Sequence, residues 1–413
     1  MAAMKRSWAV IGGGPCGVAA VGRLVDLGYP VTWIDPSFSI GRMGQYYREV
    51  PANTLNSDFL VALMMCKSFQ FEQHQARRRL TGQPVMAQWD GDQCYPLGAF
   101  VECLEDCTKE LLPLTKAMFG TVTSMSKTSG SGWKIEVAPS SNQHVHRHAY
   151  STSASQVVTC EADVVILMCG SKPVCLPGLP QLNDTDGKRT IQHTTTDTPT
   201  HTTTFTTFHP LDQLVCPKYV NTLIHTNPTL RTQTWGVIGS SHSGMLVVKN
   251  LVESGVSRVV SYYRSPMKFM HITPTGCKKY QGIGLKGPVG DWVKAQLQLQ
   301  QPAFKLIQVK TTTDWSQQLV RDGVQHGVMA VGYKRDVQFP VYVDGLAVAR
   351  GEYDGYDKMT GEICVQDKKI GLFGGGIAFP QDLVDDEGEV EPWVGFKRSI
   401  EQTDLMIKVH EGY

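Results

Sequence analysis

The sequence has no long apolar run. Nothing in it approaches the 18 or more apolar residues of a membrane span, so no membrane-spanning helix is expected. It has almost no net charge either: Lys+Arg 39 against Asp+Glu 38 leaves a formal +1. That balance asks for neither nucleic acid nor an acidic membrane surface as partner. It lacks a Cys-x-x-Cys pair, and its 11 cysteines are an odd number scattered through apolar segments such as Met64-Met65-Cys66. A disulfide scaffold is therefore not expected, and a reducing compartment is. The first strand begins so close to Met1 that no signal peptide is expected to precede it, and the chain reads as soluble and cytoplasmic. Its 413 residues suffice for two or three domains, because single cores rarely grow past about 250 to 300 residues.

What is present begins with Trp8-Ala-Val-Ile-Gly12-Gly-Gly14-Pro15-Cys16-Gly17. An apolar strand turns through Gly12-x-Gly14-x-x-Gly17 into an apolar, Ala-rich helix ending near Gly28. In such a turn Gly12 permits the bend, Gly14 lets backbone N–H groups approach a pyrophosphate, and Gly17 lets helix and strand pack closely. The next strand, Val31 to Ile34, ends at Asp35, where a carboxylate can meet an adenosine ribose about 20 residues beyond the glycines. An adenine dinucleotide is the expected ligand, with Pro15 and Cys16 at the helix start beside it.

The polar, glycine-punctuated stretch from Pro36 to Thr54 suits neither helix nor strand and leaves the ligand-binding end of the sheet. Arg42, Gln45, Asn53 and Thr54 are its candidates for contacting the cofactor; a plain surface loop is the alternative. Residues 58 to 80 read as one helix closing on the solvated run Arg77-Arg78-Arg79, and Pro96 to Leu112 as another. Cys103 and Cys107 share a face of the latter and read as core thiols rather than a redox pair. Thr121 to Met125 and Trp133 to Val137 alternate like an antiparallel pair. His144, His146 and His148 fall in a polar tract that reads as a surface insertion, and no metal is expected. A buried strand then leaves through Gly170. The Thr/His-rich tract from 183 to 208 reads as a crossover between domains, closed by His209, which reads as a turn residue more than a site residue.

A second signature follows in Trp235-Gly-Val-Ile-Gly239-Ser240-Ser241-His242-Ser243-Gly244. Ser241 stands where the middle glycine belongs, and its Cβ is expected to push a pyrophosphate outward. The next strand ends at Arg264 instead of an acid, with Lys268 nearby; an Arg there accommodates a 2′-phosphate and points to NADPH. Gly276 to Gly290 reads as an exposed loop, with lysines able to meet phosphates as the alternative, and leads to a helix over 291–299. Two more glycine-ended strands follow, one reaching Gly332 and one reaching Gly374-Gly375-Gly376-Ile-Ala-Phe379-Pro380. Glycines there permit close approach to a flat ring or a pyrophosphate, with a helix from about Trp393 to Val409 beginning near the cluster.

Together these residues resemble the two-dinucleotide-binding flavoproteins, the glutathione-reductase-like superfamily that includes flavin-dependent monooxygenases. Met168-Cys169-Gly170 and Ala330-Val331-Gly332-Tyr333 are similar to the family's Ala-Thr-Gly strand ends. The resemblance implies an α/β fold of two Rossmann-like dinucleotide-binding domains, the second inserted into the first. FAD would take residues 1–189 and 331–413, and NADPH the inserted 190–330. It implies an NADPH-using FAD monooxygenase acting on a small molecule through a flavin peroxide. An NAD(P)H-dependent reductase or oxidase, and a degenerate flavin-binding protein, stay open as alternatives, as does a homodimer. The late Gly-Asp and the paired cysteines of the reductases are missing here.

Overall fold

The computed structural model describes residues 5–128, 130–140, 156–179, 189–194, 203–310, 314–348, 353, 355–385 and 387–412. His144, His146 and His148 lie outside the described residues. Among those described, no helix is long and apolar enough to cross a membrane.

The fold is mixed α/β. Trp8–Ile11 is apolar at every position and buried on both faces, as a central parallel strand must be. It lies between Val31–Asp35 and Val164–Leu167, parallel to both. Val164–Leu167 takes Lys368–Gly374 as its other parallel neighbour, so this 10-stranded sheet is built from both ends of the chain. Helices Pro15–Asp26, Leu97–Leu111 and Phe396–Glu411 bury their apolar sides in one cluster with Trp8, Phe69 and Phe100.

All strands of a second, 6-stranded sheet fall between Arg189 and Met329. Thr234–Ile238 is its buried centre, parallel to Arg258–Tyr263 and His326–Met329. The chain passes between the sheets along Ser171–Pro173 and again along Tyr333–Arg335, and these two segments pair antiparallel. A second tie joins the two sheets' units. Lys279 pairs with Asp385 at 2.7 Å and Glu387 at 2.9 Å, and the Glu391 carboxylate accepts from Tyr280 N at 2.6 Å.

Four local expectations change. The helix expected over 58–80 is broken into Asn56–Met64, a 3-10 turn at Lys67–Phe69 and Phe71–Leu80. The Asp26 carboxylate captures Lys67 N and Ser68 N at 2.7 and 2.8 Å, and Gln70 turns left-handed at φ 47°. Within the basic run Arg78 is not solvated: it pairs with Asp106 at 2.6 Å and Glu102 at 2.8 Å. The loop expected over Pro36 to Thr54 contains the short helix Gly41–Tyr46. The tract expected as a crossover contributes the antiparallel strands Arg189–Thr194 and Thr203–Phe208 at an edge of the second sheet.

Candidate dinucleotide sites and the contact between them

The two glycine-rich turns are copies of one another at atomic detail. Gly12 and Gly239 have φ +118° and +114°, and a Cβ on either would stand 2.2 Å from a carbonyl oxygen, that of Met168 or of Ala330. Gly17 and Gly244 each hold the helix so close that a Cβ would be 2.0 Å from the carbonyl oxygen of the turn's first glycine. Each turn feeds a 12-residue helix, Pro15–Asp26 or His242–Glu253, and neither helix has a side-chain cap at its N-terminus. An uncapped helix start presents N–H groups and the positive end of the helix dipole, which is how a pyrophosphate is held.

Around the first turn the fit to an adenine dinucleotide rests on open space at one atom. A Cβ on Gly14 would meet nothing within 4 Å, whereas Gly12 and Gly17 are packed shut. The Trp33 indole N–H donates to Gly12 O at 3.0 Å and fixes the turn. Asp35 is buried, and its carboxylate is drawn inward: Oδ2 accepts from Gly13 N at 2.7 Å, and Oδ1 from Phe38 N at 2.6 Å. The C-terminal glycine cluster comes to the same place. A Cβ on Gly376 would be 2.8 Å from Cys16 Sγ, and one on Gly375 would be 2.5 Å from the Met168 methyl. Behind it Phe379 is fully buried, and Pro380 O accepts from the Tyr356 hydroxyl at 2.6 Å. Arg335 lies over the Phe379 ring and donates to Ala378 O at 2.7 Å, a role no sequence motif announced. Gly170 and Gly332 sit where the two connecting segments start and return, both at positive φ and both open where a Cβ would be.

The loop of the first unit reaches the second unit. Arg42 forms an ion pair with the buried carboxylate of Asp212, and the Tyr47 hydroxyl donates to the same carboxylate. Tyr333 is largely buried beside Tyr47; burial pushes its phenol up, and the neighbouring Tyr47 adds to the shift while Ser243 opposes it. Asn53 lies against Gly287, whose Cβ would be 3.3 Å from Asn53 Cα. Thr54 touches Asn53, and Gln45 is exposed. Tyr47 and Asp212 were missed from sequence; Tyr47 stood in a loop already suspect, but Asp212 carried no signal.

At the second turn Ser241 is exposed and Ser240 half-buried. His242 is pushed down to about 4 by burial and by the charge of Lys286. Arg264 is exposed at the end of its strand, and Lys268 sits 4.7 Å over the Tyr280 ring. His209 lies in the connection between strand Thr203–Phe208 and helix Leu211–Leu214, fully buried and tilted against Trp235, with Nε2 3.1 Å from His326 Nδ1. Cys103 and Cys107 are buried in the core; burial raises both thiols, Cys103 to about 12.

The comparison with solved structures decides the fold. The bacillithiol disulfide reductase Bdr (YpdA) from Staphylococcus aureus aligns over 99% of both chains with a TM-score of 0.53 at 12% identity. The fold is the one this reductase has. The S-allyl-L-cysteine S-oxygenase from Allium sativum has the same fold, with a TM-score of 0.50 and 13% identity over 97% of this chain and 77% of that one. In sequence, the chain is 27% identical over 420 residues to the monooxygenase AgnR1 of Paecilomyces divaricatus, which covers 96% of this chain and 95% of the relative. No protein-family model matches the sequence.

Proposed function

We propose that this chain is an FAD-dependent oxidoreductase that uses NADPH and dioxygen to insert one oxygen atom into a small molecule, the second oxygen leaving as water. The observation that carries the two-cofactor reading is the pair of matching turns, one on each sheet, with Arg42 and Tyr47 of the first unit both held on the buried Asp212 of the second. Oxygen insertion is favoured by the likeness to a monooxygenase along nearly the full chain.

In this reading FAD lies on the first turn, in a domain made of residues 1–189 and 331–413, and NADPH on the second, in an inserted domain of residues 190–330. FAD, when bound, supplies the hydride acceptor and the site of oxygen activation. Gly14, Cys16 and Gly17 offer backbone N–H groups to its pyrophosphate, while Gly375 and Gly376 let the backbone close over it. Asp35 keeps lone pairs for the ribose beside the backbone donors it already holds. Arg264 receives the 2′-phosphate of NADPH at the exposed end of its strand. The Arg42–Asp212 contact ties the two units together.

The test is direct. Purified protein should carry FAD and be yellow, anaerobic NADPH should bleach it faster than NADH, and isotope-labelled dioxygen should place one labelled atom in an accepted substrate. Colourless protein that FAD cannot reconstitute overturns the proposal, as does a yellow protein that NADPH leaves oxidised.

A further inference from the structure

Lys286 is a partly buried lysine beside the second turn, and none of the ion pairs among the described residues includes it. Its ammonium donates only to a carbonyl, that of Gln281, at 2.8 Å. Burial lowers its pKa, and an unpaired buried cation is costly unless an anion compensates it. The residue directly precedes helix Gly287–Gln298, which packs against His242–Glu253, and neither helix start has a side-chain cap. His242, the first residue of the turn's helix, has Nδ1 buried with no hydrogen-bond partner. A cation and an unsatisfied imidazole nitrogen thus stand at the uncapped starts of two packed helices, the second of which opens directly after an exposed Ser241.

We propose that Lys286 binds the pyrophosphate of the nicotinamide dinucleotide at the Gly239–Gly244 turn. The inference rests on the reading of that turn as the NADPH site. Ser241 carries a Cβ where the first turn has open space, so the pyrophosphate stands farther from the backbone N–H groups there. A long flexible ammonium restores across that gap the charge the backbone delivers less well, and neutral His242 adds a hydrogen bond beside it. Lys286 and Arg264 then divide the ligand: Lys286 takes the pyrophosphate common to NADP+ and NAD+, and Arg264 the 2′-phosphate found only in NADP+.

The experiment is calorimetric titration of NADP+ and of NAD+ into the oxidised, FAD-loaded protein, as wild type, K286Q and K286R. Loss of a charge-assisted contact in K286Q should weaken both ligands by about ten- to a hundredfold, leaving their ratio unchanged, while K286R stays within about threefold. If K286Q binds both as wild type does, or loses NADP+ alone, the assignment of Lys286 is overturned while the second turn stands. Wild type that binds neither ligand overturns the NADPH site and this inference together. Should K286Q not fold, the wild-type profile decides. The groups facing Lys286 are His242, Asp58, Cys94, Lys278 and Glu391. NADP+ affinity should fall as pH rises from about 7 to about 10, through a lysine pKa below the ordinary value; a flat profile overturns the assignment.

Discussion

Gly14 and Ser241 share one backbone conformation. The first lies at φ −73° and ψ 178°, the second at φ −82° and ψ −170°, each as the residue before its helix. The serine in the second turn therefore costs no backbone strain, because neither position uses the left-handed region that favours glycine. What Ser241 changes is the space in front of the helix start, not the turn.

Two reciprocal variants follow from that relationship. Ser241→Gly should fold like wild type and tighten NADP+ binding by about two- to tenfold, since the side chain caps nothing in the free protein. Gly14→Ser should also fold, with its FAD more easily lost on dilution. Fluorescence of released FAD and titration with NADP+ measure the two effects, and an unfolded Gly14→Ser protein would sink the argument.

The first glycine of each turn should behave in the opposite way. Gly12→Ala or Gly239→Ala puts a methyl about where the Met168 or Ala330 carbonyl oxygen already is, at positive φ. A loss of about 3 kcal/mol or more is expected from strain and displacement together. Denaturant midpoints of the two variants, read beside Gly14→Ser, separate a packing role from a ligand-facing one.

Asp212→Ala leaves Arg42 without its carboxylate in a site where Asp212 is only 5% exposed. Removing one partner of such a pair should cost about 3 kcal/mol in urea unfolding. It also frees the Tyr47 hydroxyl, so reduction by NADPH should slow in rapid-mixing measurements while FAD content is kept. Unchanged stability and unchanged reduction would show that the contact between the units is incidental.

Asp106 ties acid stability to the helix Leu97–Leu111. Burial pushes its carboxyl up, but hydrogen bonds and charge from Arg78 and Lys109 outweigh that, and the net shift is downward from 3.8. A lowered folded pKa means that its stabilising contribution is complete above the ordinary carboxylate value and is lost as pH falls through the folded one. Between about pH 7 and about pH 3, wild type should lose more stability than Asp106→Asn. Equal losses in urea unfolding would contradict the pairing.

The sequence by itself determined both turns, the strands that enter them and the helices that leave them. Each depends on residues within a dozen positions of one another: a buried apolar run, glycines at fixed spacing, an apolar helix face. Even the Cys16 helix start and the late cluster at Gly375 and Gly376 were legible as candidates, although only packing brought them together. The tertiary structure alone decided where charged and polar side chains turned. Asp35 faces the backbone of its own turn because Gly13 N lies within reach of it. Arg42 meets Asp212 across 170 positions of sequence, and Lys286 comes near His242 because the helices they begin pack on one another. Such pairings are set by how the two sheets' units are docked, and periodicity, which reports only a residue's neighbours along one element, carries no trace of them.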